Sequence, residues 1–259
     1  MIGPDGVDGR KFRSIGSVAT LNLPDAEGEA PLPGRPNVVA TVALALLAWP
    51  AAYVGLYIFH TAWATFVLYH GLCIAGAAYH RRVYGPPKNR TVPLLDWVQL
   101  TVTGLIGCLA SIFIIRRFGV VVGLIDPSLV RHTMNMLYHG SGMVSYLPLC
   151  AYFAIVNPIV EEHFWRGAIY QRLQDSGVAS RGALVASCLL FGSWHWLIIR
   201  LLFPPAMALV VVAGIMVAGV FFAQTYDRLH SLSAVALVHS LAGDLPGIIA
   251  FAYAMGAWR

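Results

Sequence analysis

Two adjacent glutamates, Glu161 and Glu162, follow directly on the apolar stretch AYFAIVNPIV, and Arg166 stands four residues after the second. Residues four apart on a helix share a face, so Glu162 and Arg166 are spaced to pair. Glu161 is turned about 100° from Glu162 on a regular helix and has no cation at the pairing distance. One carboxylate is thereby neutralised and the other is left available. Two neighbouring carboxylates in low dielectric resist ionising together, so the unpaired one is placed to exchange a proton near neutrality, as a general base must. The plainer alternative is a helix end at a membrane surface with two solvated glutamates.

Two further segments put ionisable groups where they are costly. Phe191-Gly192-Ser193-Trp194-His195-Trp196 sets an imidazole between two indoles in an apolar run. His195 is a candidate for water activation or metal ligation, or simply a hydrogen bond between helices. His239-Ser240-Leu241-Ala242-Gly243-Asp244 supplies a second imidazole and a carboxylate within one to two turns. Gly243 and Pro246 favour local unwinding there, because the proline deprives a carbonyl of its helical partner. An ionisable side chain inside a membrane span costs at least about 2.5–3.5 kcal/mol on insertion scales, so each of these asks for a reason. Glu161, His195 and His239 fall on three separate helices that can converge on one cavity. One group would deprotonate water and another would stabilise an oxyanion, which suits amide hydrolysis within the membrane. His60, His70 and the tyrosines of the first two spans read as packing or interface residues.

The elements that must position these groups are membrane helices. The 259 residues are 58% hydrophobic and 11% charged, where a soluble domain carries about 25% charged residues. That composition excludes both a soluble globular protein and a disordered chain. The net charge is +5, but the basic residues sit at the ends of apolar runs as membrane anchors do, and no nucleic-acid motif is present, which excludes nucleic acid as a partner. Of the twelve acids, Asp5, Asp8, Asp25, Glu27 and Glu29 lie in the first thirty residues, and Asp96, Asp126, Asp175 and Asp227 at span ends or loops. Glu161, Glu162 and Asp244 remain. Cys73, Cys108, Cys150 and Cys188 all lie in apolar runs without a CxxC pair, as thiols packing helix on helix do.

A bilayer span needs about 20 apolar residues. Apolar runs predict seven, near 38–58, 61–79, 95–115, 143–173, 182–200, 205–225 and 233–257, with a turn around His60, a kink at Pro50 and an interfacial stretch over 119–142. The expected fold is therefore all-α and polytopic. Residues 1–36 form a flexible polar tail without a signal peptide's apolar core, residues 37–142 the N-terminal membrane helices, and residues 143–259 the catalytic membrane region. With the N-terminus inside, twelve Lys and Arg residues fall on the inner side and five (Arg116, Arg117, Arg131, Arg200 and Arg259) on the outer, which favours that orientation.

The order E-E-x-x-x-R, then F-x-x-x-H, then a C-terminal His in an apolar helix resembles the CPBP family of intramembrane proteases, the CAAX proteases and bacteriocin-processing enzymes also called Abi. Here these are Glu161, Glu162 and Arg166, then Phe191 and His195, then His239. The string VEEHFWRGAIYQRL resembles the family's E-E-x-x-F-R-G context, with Trp165 where the family usually has Phe. The resemblance covers roughly 145–250. It implies a CPBP-like bundle in which Glu161 activates water with help from His195 and His239 binds the oxyanion, with Glu162, Arg166 and Phe191 in support. The family's third element is usually H-x-x-x-N. In this chain Gly243 stands at the Asn position and Asp244 one residue later, about 140° from His239 on a regular helix, so Asp244 substitutes only if the helix unwinds.

The leading expectation is thus an endopeptidase that needs no cofactor and acts on a membrane-anchored or prenylated protein or peptide. Its expected setting is a bacterial inner membrane, with the N-terminus cytoplasmic. A zinc-dependent variant would use Glu161, His195 and His239, although no HExxH or local chelating pair is present. Two other classes stay open. One is a non-catalytic membrane protein that keeps the cavity for docking, and the other a haem- or quinone-binding protein with His195 and His239 as axial ligands.

Overall fold

The computed structural model describes residues 34–120, 125–138 and 143–254, so the expected polar tail up to residue 33 lies outside the described residues. All regular structure among the described residues is helical. In chain order the helices are α1 (Val38–Ile58), α2 (Ala62–Tyr84), α3 (Leu94–Arg117), α4 (Pro127–Tyr138), α5 (143–175), α6 (Ser180–Trp194), α7 (Trp196–Leu202), α8 (Pro205–Leu229) and α9 (Leu232–Tyr253).

Their starts follow from local chemistry. Asn37 accepts from the first amides of α1, Thr61 from Trp63 of α2, and Ser231 from Ala234 of α9. The Asp126 carboxylate accepts from the Ser128 and Leu129 amides at the start of α4, and its hydrogen bonds to Ser128 hold it below the ordinary carboxylate range. Prolines open α3, α4 and α8, where the missing N–H costs nothing. The turn between α1 and α2 falls at His60, as expected, with φ +51°. Regular bonding in α1 is interrupted at Leu47, one turn before Pro50.

Of these helices, α1, α2, α3, α8 and α9 are each long and apolar enough to cross a bilayer. The pair α6 and α7, bent by 41° at His195, makes a sixth if it is one span. By this criterion five or six spans are found among the described residues, where seven were expected. The span expected over 143–173 corresponds to α5, an unbroken helical stretch whose second half carries Glu161, Glu162, Arg166, Arg172 and Asp175. The stretch read as interfacial contains α4, a separate twelve-residue helix.

Apolar side chains such as Val39, Val67, Leu94, Leu109 and Val217 are exposed on the outside of the bundle, the pattern of a surface facing lipid. The core lies where α5 meets α2, α6, α8 and α9, around Phe164, Trp165, Ile169, Phe191, Phe222 and Val238. A Cβ at Gly76 would sit 2.7 Å from the Phe164 ring, so this glycine is what lets α2 approach α5. Polar contacts tie one end together: Arg228 pairs with Asp96 at 2.9 Å, Tyr170 donates to Asp227 at 2.7 Å, and the Arg90 amide donates to the His230 carbonyl at 2.8 Å. The four cysteines are free, and Cys73, Cys108 and Cys188 are buried.

Candidate active site

Glu161 and Glu162 sit on the regular turns of α5 between two widened, i→i+5-bonded turns, 152–156 and 165–170. Both are buried, at 1% and 0% exposure, so the solvated helix end is ruled out. Glu162 and Arg166 pair, Nη1 to Oε1, at 2.9 Å. The guanidinium also donates to the Gly219 carbonyl of α8 at 3.1 Å and lies over the Phe191 ring, 4.5 Å from its centroid. A buried cation is thus satisfied by a carboxylate, a carbonyl and an aromatic face.

His239 of α9 donates from Nδ1 to the same Glu162 Oε1 at 2.7 Å. Its Nε2 faces two further carboxylate oxygens, Glu161 Oε2 and Asp244 Oδ1, each at 3.6 Å. Those distances are ion-pair proximity rather than hydrogen bonds. The Phe222 ring stacks on the imidazole at 4.7 Å. Three carboxylates therefore surround one histidine in the protein interior.

Asp244 arrives by a different route from the expected one. Residues 240–244 stay helical but form a widened turn bonded i→i+5. The extra residue in that turn carries position 244 to roughly where a regular helix would place 243. The condition that α9 must unwind is corrected: widening suffices. Gly243 is packed against the histidine, since a Cβ there would sit 3.0 Å from His239 Cδ2.

On its other flank Glu161 meets α2. The Tyr69 hydroxyl donates to Glu161 Oε1 at 2.7 Å and accepts from the Trp165 indole at 2.8 Å. The neighbouring His70 bonds through Nε2 to Asn157 Oδ1 at 3.0 Å and through Nδ1 to the Tyr152 hydroxyl at 2.8 Å. Asn157 in turn donates to Asp244 Oδ2 at 3.2 Å. His70 is thus a link in a buried polar chain, not the packing residue expected.

His195 stands apart from this cluster. It occupies the bend between α6 and α7, and its Nδ1 donates to the Phe191 carbonyl at 2.8 Å. Among the described residues no hydrogen bond or ion pair joins it to Glu161 or His239. Contact runs instead through rings: Trp194 lies 4.0 Å from His195 and 4.3 Å from Tyr69, and Phe191 stands edge-on to both imidazoles at 5.0 and 6.0 Å. The zinc set of Glu161, His195 and His239 is not arranged to share an ion, and among the described residues no other His, Cys, Asp and Glu group is either.

Residues 143–243 match the Rce1-like family, type II CAAX prenyl endopeptidase. The CPBP resemblance read from the sequence is borne out over that segment, and the matched family is one of proteases. The Rce1-like match holds Glu161, Glu162, Arg166, Phe191, His195 and His239 and ends one residue before Asp244. Neither the curated proteins nor the solved structures contain a match. Together with its long apolar helices, the Rce1-like segment supports an integral membrane protein.

Sequence reasoning missed Tyr69, His70, Asn157 and Trp165 as contributors. Trp165 stood out only as the departure from the family's usual Phe, and His70 and the tyrosines of the first two spans only as packing or interface residues. Tyr69 and His70 lie outside the matched segment.

Proposed function

We propose that the chain is an intramembrane endopeptidase that cleaves a prenylated or otherwise membrane-anchored protein or peptide, with Glu161 as its general base. The observation that carries this reading is the position of Glu161 Oε2, which has no hydrogen-bond partner and lies 3.6 Å from His239 Nε2 inside the Rce1-like segment. In the proposed reaction Glu161 takes a proton from water as the water oxygen bonds to the amide carbon. The carbonyl oxygen becomes an oxyanion, for which His239 Nε2 is the nearest candidate donor. Because Nδ1–H is engaged with Glu162, donation from Nε2 requires the imidazolium, for which Glu161, Glu162 and Asp244 are the counter-charges. The proton held by Glu161 then passes to the leaving nitrogen as the C–N bond breaks, releasing an acid and an amine. His195 would assist through its free Nε2 once substrate is bound, since catalytic hydrogen bonds often form only in that complex.

An apolar groove of about 250 Å³ between α2 and α5 is lined by Cys73, Ile74, Ala77, Ile159, Val160 and His163, on the helices that carry Tyr69 and Glu161. It favours approach of a hydrocarbon-bearing substrate from the lipid side. A bacterial inner membrane with the N-terminus in the cytoplasm, and residues 143–259 as the catalytic region, complete the proposal. Comparing membrane proteomes from cells that express wild-type or Glu161→Gln protein tests it. Uncut precursors should accumulate with the variant, and identical proteomes would overturn the reading.

A further inference from the structure

We infer that Tyr69 and Trp165 are positioning residues for Glu161, a neutral relay that decides which carboxylate oxygen is presented to the reacting groups. The inference rests on the proposed role of Glu161 as base. The indole N–H is a donor only, and a tyrosine hydroxyl has one hydrogen to give. With Trp165 donating to the Tyr69 oxygen at 2.8 Å, the hydroxyl hydrogen is directed to Glu161 Oε1 at 2.7 Å. Oε1 is thereby occupied, and Oε2 is the oxygen left facing His239. Both relay side chains are 1% exposed, so water does not compete for these bonds. The tyrosine ring is held in place by Trp194 at 4.3 Å, and Trp165 by edge-on contacts with Phe164 and Phe191 at 5.0 and 5.7 Å.

This arrangement gives a physical reason for the departure at position 165. Phenylalanine, the residue the family resemblance calls for, fills a similar space but has no N–H. With Phe at 165 the Tyr69 hydroxyl is free to rotate away from the carboxylate. The tyrosine comes from α2, outside the Rce1-like segment, so the relay joins the N-terminal helices to the motif.

The test uses full-length protein in liposomes and a farnesylated peptide ending in a CAAX sequence. Tyr69→Phe should lower kcat about ten- to hundredfold with KM little changed, the range seen when a supporting partner of a reactive group is lost. Trp165→Phe should lower it several-fold. The double variant should be no worse than Tyr69→Phe alone, because the indole acts only through the hydroxyl. Wild-type kcat in both single variants beside an inactive Glu161→Gln would overturn the relay and leave the proposed function standing. Additive losses, or losses that track a fall in melting temperature, would also overturn it. An active Glu161→Gln would overturn the proposed function itself. An infrared measurement needs no turnover: the carboxyl band that disappears in Glu161→Gln should shift in Tyr69→Phe and in Trp165→Phe. A band unmoved in both would overturn the relay even if the peptide is never cut.

Discussion

The two flanks of Glu161 are built from different chemistry. Toward α9 the contacts are between ionisable groups, with Glu162 paired to both Arg166 and His239, and Asp244 3.6 Å from His239. Toward α2 they are hydrogen bonds among uncharged groups, Tyr69 with Trp165 and His70 with Asn157 and Tyr152. The charged flank supplies groups that can move protons or meet an oxyanion. The polar flank holds them still. Each buried charge has to be compensated at high cost, whereas a buried amide or hydroxyl needs only one partner with good geometry.

Substitutions on the two flanks should therefore fail in different ways. The largest effect is expected at the junction: Glu161→Gln should lower peptide cleavage by about 10²–10⁴-fold, the usual contribution of a general base, with the melting temperature retained. A loss of fold instead would show that Glu161 is a structural carboxylate. On the charged flank, Arg166→Gln leaves Glu162 buried against His239 without its cation and should cost about 3–5 kcal/mol, measured by unfolding in detergent. Adding Glu162→Gln should recover part of that loss. An additive double variant would mean that the pair is not coupled.

On the polar flank, His70→Phe orphans Asn157 and Tyr152 and should cost about 1–3 kcal/mol. It should leave KM for the farnesylated peptide unchanged, and a large rise in KM would place His70 in substrate binding. The smallest effect is expected at Asp244, on the charged flank but bonded to Asn157 of the polar one. Its Oδ2 accepts from Asn157, and an amide oxygen in Asp244→Asn can do the same, so stability should change by no more than about 1 kcal/mol. A larger loss would show that the Asp244 charge beside His239 is structurally required.

The charged flank was the more legible of the two. Ionisable residues are rare in apolar runs, so Glu161, Glu162, His195, His239 and Asp244 stood out on cost alone. The Glu162–Arg166 pair needed only the period of one helix. The polar flank was hidden because tyrosine, histidine and asparagine at helix surfaces in a membrane are ordinary, and nothing in their spacing says what they touch. The span expected over 143–173 falls on α5, whose apolar first half runs directly into the glutamate pair, so one helix carries both a membrane-like segment and the candidate site.

By itself, the sequence determined the membrane class, the helical segments and the short list of candidate groups, since these depend on composition and on neighbours within a turn or two. Only the tertiary structure decided that Asp244 reaches His239, because that follows from a widened turn that no residue type demands. It also decided that Tyr69 meets Glu161 while His195 does not. Such meetings depend on how separate helices are rotated and how closely they approach, and the packing of side chains such as Phe164 against Gly76 sets both.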